Sequence, residues 1–108
     1  MHRTRLYVAG PMTGYPEFNY PAFAQASDDL RAAGFHVENP ADNPVQSSWV
    51  DYMRLSLRQI SWVDGIAVLP GWDLSRGAVL EVDIAQRLGL PTLTVDQWLA
   101  GHAVVNAA

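Results

Sequence analysis

A chain of 108 residues, about half of them apolar, has material for one domain with a real core. Its formal net charge of −4 argues against a nucleic-acid polymer as partner but leaves room for one small phosphate. There is no cysteine, which removes thiolate catalysis, cysteine-ligated zinc and disulfides, and no stretch fits a signal peptide or membrane span. A cytoplasmic location is the expectation.

Short apolar runs alternate with helical periods, which predicts a single flavodoxin/Rossmann-like α/β domain over residues 1–108. Its parallel sheet would have about four to five strands flanked by helices. Leu6 to Ala9 reads as the first strand, ended by Gly10-Pro11 and a glycine-containing loop through Tyr15-Pro16. A helix follows from Asn19–Pro21, with Asn19 as cap, and Gly34 stops it. Phe35 to Glu38 is the second strand, and Ala41 to Gln46 a polar loop. Ser47 or Ser48 caps the second helix, whose Val50, Met53, Leu57 and Ile60 share a face. Gly65 to Leu69 is the third strand. Ser75 caps a third helix from about Arg76 to Leu88, stopped by Gly89. Pro91 to Val95 is the fourth strand, Asp96 a candidate cap for a short helix through Leu99, and the tail from about 101 to 108 is expected to be loose.

Parallel strands with right-handed crossovers put the loops at 10–19, 39–46 and 70–75 on one rim, where open α/β sheets bind ligands. Gly10, Met12 and Asn19 are the candidate binding residues of the first loop. The segment from Pro70 to Glu81 carries a strand end, a glycine turn, a hydroxyl cap and a helix N-terminus. It is either an ordinary capped helix with an exposed arginine or an anion site in which Ser75, Arg76 and Gly77 meet a phosphate. Trp72 could cover a base or sugar, or anchor an interface. Glu81 stands among Val79, Leu80, Val82 and Ile84, an odd setting for a carboxylate. It is either a solvent-facing helix residue or a sheltered nucleophile kept ionised by the helix N-terminus. Tyr7 either fills the core or reaches up to a carboxylate. Asp64, before the third strand, reads as structural at the far edge. His2, His36 and His102 lack metal-ligand spacing, so neither metal nor organic cofactor is expected. A receiver-type phosphoacceptor aspartate is missing at the end of the third strand.

Three stretches carry a resemblance: Tyr7-Val8-Ala9-Gly10-Pro11-Met12-Thr13-Gly14, Phe18-Asn19-Tyr20-Pro21-Ala22-Phe23, and Asn39-Pro40-Ala41-Asp42. Together with Leu69-Pro70-Gly71-Trp72 and Ser75-Arg76-Gly77-Ala78 leading to Glu81, they resemble a small family within the nucleoside 2-deoxyribosyltransferase-like superfamily, over about residues 5–95. The resemblance implies that Glu81 attacks the anomeric carbon of a nucleotide or nucleoside and that Tyr7 orients it. It implies that Ser75 helps bind a 5′-phosphate, and that the chain acts as an N-glycosidase or a base-exchanging transferase. A homo-oligomer is implied too, with Trp49 and Trp98 as candidate contacts, though either could instead be core. A binding module that senses a nucleotide without turnover is the alternative. Two positions depart from the superfamily. Ser56 stands where an aspartate handling the leaving base is usual, with Asp51 or Asp73 as possible substitutes. The first loop has Pro11 and Thr13 where phosphate-binding relatives carry serine and arginine, a charge Arg76 could supply.

Overall fold

The structure, a computed structural model, describes residues 3–101. Strand β1 (Arg5–Ala9) is buried from Leu6 to Ala9, and alternation divides it between two cores. Leu6 and Val8 face helices α1 (Tyr20–Ala32) and α4 (Val95–Leu99), whereas Tyr7 and Ala9 face α2 (Trp49–Ile60) and α3 (Arg76–Arg87). With β2 (His36–Glu38), β3 (Gly65–Val68) and β4 (Thr92–Thr94), β1 forms one parallel sheet in the order β2-β1-β3-β4. Burial on both faces explains why β1 and β3 read as continuous apolar runs. Four strands are present among the described residues, and helices cover both faces.

The ends of the helices follow local chemistry closely. Gly34 and Gly89 adopt positive φ (100° and 77°) and close two Schellman turns. In these, Phe35 N–H bonds Leu30 O (3.1 Å) and Leu90 N–H bonds Ala85 O (2.9 Å). Phe35 is thus held by the helix stop, and β2 starts one residue later than the pattern predicts. Ser48 and Ser75 cap α2 and α3 through Asp51 N–H (3.1 Å) and Ala78 N–H (3.3 Å).

Three expectations need correction, and one open choice is decided. Asn19 sits at the N-cap of α1 but makes no cap bond, because its backbone is left-handed (φ 61°). Its side chain instead donates to Pro11 O at 3.0 Å, tying the helix start to the first loop. The cap of α4 is Thr94, in a reciprocal capping box with Gln97, and Asp96 lies in the first turn. Val50 is 56% exposed, since Met53, Ser56 and Ile60 take the inward face of α2. Trp98 is core: it is 2% exposed and donates its indole N–H to Ile66 O at 2.8 Å. The tail beyond 101, His2 and His102 lie outside the described residues. Among the described residues no helix is long and apolar enough to cross a membrane.

Because β1 is flanked by β2 on one side and β3 on the other, the order of connection reverses between β1 and β3. Their C-terminal ends therefore border the crevice where such sheets take ligands. The loops after these two strands touch there. A Cβ on Gly71 (φ 85°) would lie 2.7 Å from the Tyr15 hydroxyl and 3.4 Å from Pro11 Cγ. The loop after β2 is tied to α2, with the side chains of Asn43 and Gln59 exchanging bonds of 2.8 and 3.0 Å. Asp64 stands at the opposite edge, where it receives both the Arg5 guanidinium (3.1 Å) and the Arg5 N–H (2.8 Å).

Gly65 is required by packing. A Cβ there would lie 2.6 Å from Trp98 Cζ2, inside the ring's contact distance. Gly65→Ala is expected to destabilise the domain by about 1–3 kcal/mol, the usual cost of overpacking. Urea unfolding should show this as a lower midpoint with an unchanged slope.

Candidate active site

The site is built on three elements: β1, which carries Tyr7; α2, which carries Ser56; and α3, which carries Glu81. Tyr7 is fully buried in the middle of β1, on the face turned toward α2 and α3. Its hydroxyl donates to Glu81 Oε2 at 2.6 Å and lies 3.0 Å from Ser56 Oγ. Glu81 is 7% exposed and Ser56 5%, so three polar side chains share one nearly dry recess. Both outcomes open for Tyr7 in the sequence hold together: it fills the core and it reaches a carboxylate.

Burial governs the protonation of this group. Loss of water raises the Glu81 pKa from an ordinary 4.5 to about 7, and the hydrogen bonds from Tyr7 and Ser56 hold it from rising further. Glu81 was expected to stay ionised because α3 begins nearby. It lies in the second turn, however, and the helix dipole fades beyond the first, so desolvation wins. The Tyr7 phenol is pushed well above its ordinary 10, by burial first and then by the Glu81 charge and hydrogen bond.

Helices α2 and α3 meet along matched positions. Trp49, Met53 and Ser56 recur at four- and three-residue spacing and so share the α2 face turned to α3. Arg76 lays its guanidinium over the Trp49 ring, 3.6 Å from the centroid. A Cβ on Gly77 would lie 3.5 Å from Met53 Sδ, so the space beside this glycine faces α2. Ser56 then joins Tyr7 and Glu81 in one hydrogen-bonded group. Ser75 accepts Ala78 N–H, which leaves its own hydroxyl proton free to donate.

The other candidates are spread around the rim. Gly10 ends β1, and a Cβ there would lie 2.8 Å from Leu69 Cβ, so its missing side chain already has a packing reason. Met12 packs partly buried against the α1-side core, while Trp72 packs against the core that contains Tyr7. Trp72 also borders a recess of about 620 Å³ between α1, α4 and the loop after β3, to which Asp73 contributes and Glu81 does not. Asp51 is engaged by Ser47 Oγ at 2.9 Å on the exposed side of α2. Neither proposed substitute for the missing aspartate is therefore at Glu81. In the sequence Ser56 stands as a gap, and Trp49 as either a subunit contact or a core residue. Their shared helical face with Met53 was the available signal that both belong beside α3.

An elevated carboxyl pKa is also a statement about stability. With 4.5 unfolded and about 7 folded, Glu81 binds its proton more tightly in the native state. Its contribution is fully present below pH 4.5 and is lost as the pH rises through about 7. The loss amounts to about 3 kcal/mol at alkaline pH. Glu81→Gln, which is never charged, should melt higher than the parent chain at pH 8.5 and within a degree or two of it at pH 4.5. Calorimetry at the two pH values checks the sign.

No curated protein matches the chain. A family profile does, over residues 4–94, which spans the sheet and the whole Tyr7–Ser56–Glu81 group. The chain belongs to the family described as Domain of unknown function (DUF4406).

Proposed function

We propose that the protein cleaves or exchanges the N-glycosidic bond of a nucleoside 5′-monophosphate or nucleoside, through a covalent glycosyl-Glu81 intermediate. On this reading it acts as a nucleoside 2-deoxyribosyltransferase-like enzyme. The observation that carries it is the 2.6 Å bond from the buried Tyr7 hydroxyl to Glu81. A carboxylate desolvated in this way is a better nucleophile than one in water, and Tyr7 fixes which oxygen is free to attack. In the first step Glu81 forms an ester with the anomeric carbon while the carbon–nitrogen bond breaks and the base leaves. Water or a second base then takes the sugar and restores the carboxylate.

Phosphate recognition has two supports. The free hydroxyl proton of Ser75 stands at the N-terminus of α3, where backbone N–H groups favour an anion. Arg76 is held over Trp49, so its fork is ordered in advance. The chemistry calls for no cofactor, because the nucleophile is a side chain. A homo-oligomer in the cytoplasm is part of the reading. Trp49 (36% exposed) and Val79 (42%) offer apolar surface beside the first turns of α2 and α3.

One observation favours the second reading, a module that binds a nucleotide without turning it over. Among the described residues the side chains joined to Tyr7 in the recess are one carboxyl, Glu81, and one alcohol, Ser56, which stands where a second carboxyl is usual. A panel of ribo- and deoxyribonucleoside monophosphates, with their nucleosides, separates the two when free base is followed by chromatography. Base release that vanishes in Glu81→Ala is the expected result. Ligand-dependent thermal stabilisation without release would favour the binding module.

The pH dependence gives a second check. Only ionised Glu81 attacks, so kcat/KM should rise with pH around an apparent pKa of about 7. Tyr7→Phe removes a hydrogen bond that favours the charged form, so the rise should move to higher pH and the plateau should fall by about 10²-fold. An unchanged pH profile in Tyr7→Phe would dissociate that hydroxyl from the reaction.

A further inference from the structure

The hydrogen-bonding capacity of the recess limits which glycosidic bonds it can break. Displacement by Glu81 needs a carboxylate, so Glu81 cannot at the same moment protonate the departing base. The second carboxyl that usually does so in glycoside cleavage has to come from elsewhere. Tyr7 has one hydroxyl proton, and the 2.6 Å contact commits it to Glu81. The phenol is also a weaker acid here than in water. Ser56 offers an alcohol, weaker still as an acid. Burial and these two hydroxyls account for the state of Glu81. The two aspartates offered as substitutes lie elsewhere: Asp51 bonds Ser47 on the exposed side of α2, and Asp73 lines the recess beside α1.

A neutral purine or pyrimidine expelled from such a site leaves as an anion. A base that already carries a positive charge leaves as a neutral molecule and needs no proton. Resting on the proposal that Glu81 accepts a glycosyl group, we propose that the substrates are N-glycosides of a cationic base, a pyridinium or an N7-alkylated purinium. Ser56 is then a positioning residue that holds the Tyr7 hydroxyl without adding a second negative charge. In the reaction a Glu81 oxygen bonds to the anomeric carbon, and the carbon–nitrogen bond breaks. Its electron pair neutralises the ring cation, and the free base departs. Water then attacks the anomeric carbon, the ester bond returns its electrons to Glu81, and one proton passes to solvent.

The decisive pair of probes is 7-methylguanosine 5′-monophosphate and guanosine 5′-monophosphate, which differ by one methyl group and one charge. Nicotinamide riboside 5′-monophosphate serves as the pyridinium member. Free base is measured by chromatography, with the rate in Glu81→Gln subtracted as background. The cationic members should be cleaved with kcat/KM at least about 10²-fold above guanosine monophosphate, the lower bound of what a positioned acid supplies. The pH profile of the pyridinium member, which has no ring proton to lose, should rise once and stay flat. Ser56→Asp, which installs a carboxyl beside Glu81, should narrow the ratio at least tenfold by raising the rate on the neutral member. If that variant fails to fold, the wild-type ratio and pH profile decide alone. Comparable cleavage of both guanosine compounds at pH 6, or a falling alkaline limb on the pyridinium member, would overturn the substrate class and leave glycosyl transfer standing. Absence of Glu81-dependent release from every probe would overturn both.

Discussion

Glu81 is held out of water against the Tyr7 hydroxyl, and much of the domain can be understood from what that burial requires. Removing a carboxylate from water is expensive unless partners meet it, and here the partners come from two other elements. Tyr7 arrives from the central strand at 2.6 Å and Ser56 from α2 at 3.0 Å from the phenol. Even so the partners fall short of full compensation, since the carboxyl keeps its proton to about pH 7. The molecule thus carries a costly buried carboxyl between its sheet and the α2–α3 layer, an arrangement often found where a charged group does chemistry.

That carboxyl is tolerable because its surroundings are rigid. Tyr7 lies in a strand paired on both sides, so the phenol cannot shift without disturbing the sheet. Helices α2 and α3 are each fixed at the start by a serine cap, and the far end of α3 by a Schellman turn. The Trp49–Arg76, Met53–Gly77 and Ser56–Tyr7–Glu81 meetings set their relative register. On the other face, Trp98 fills the space that Gly65 leaves and bonds to the Ile66 carbonyl, bracing the strand next to β1.

Strain is concentrated in the first loop. Glu17, Phe18 and Asn19 all take left-handed backbone angles, which cost L-residues about 1–2 kcal/mol each. Asn19 offsets part of this through its bond to Pro11 O. Phe18 is left 59% exposed beside Tyr20, with ring centroids 6.0 Å apart.

The one-dimensional pattern determined the elements. Buried strands read as apolar runs because both faces of a parallel sheet are covered, and Gly34, Gly89, Ser48 and Ser75 marked helix ends through local backbone chemistry. It also offered Tyr7 and Glu81 as candidates, the carboxylate because it stands among apolar residues and the phenol because it could reach up to a carboxylate. Other matters were decided only by the fold. The cap of α1 failed because the preceding turn is left-handed, which no residue type between 17 and 19 announces. The protonation of Glu81 followed from the depth of its burial, a product of three packed layers, and outweighed the local helix dipole that the sequence does show. Ser56, conspicuous in the sequence only as a missing acid, became part of the site because α2 packs with that face against β1 and α3. Propensity and capping act over a few neighbouring residues and can be read along the chain. Desolvation depends on what arrives from 49 and 74 positions away, and only the folded structure brings those residues together.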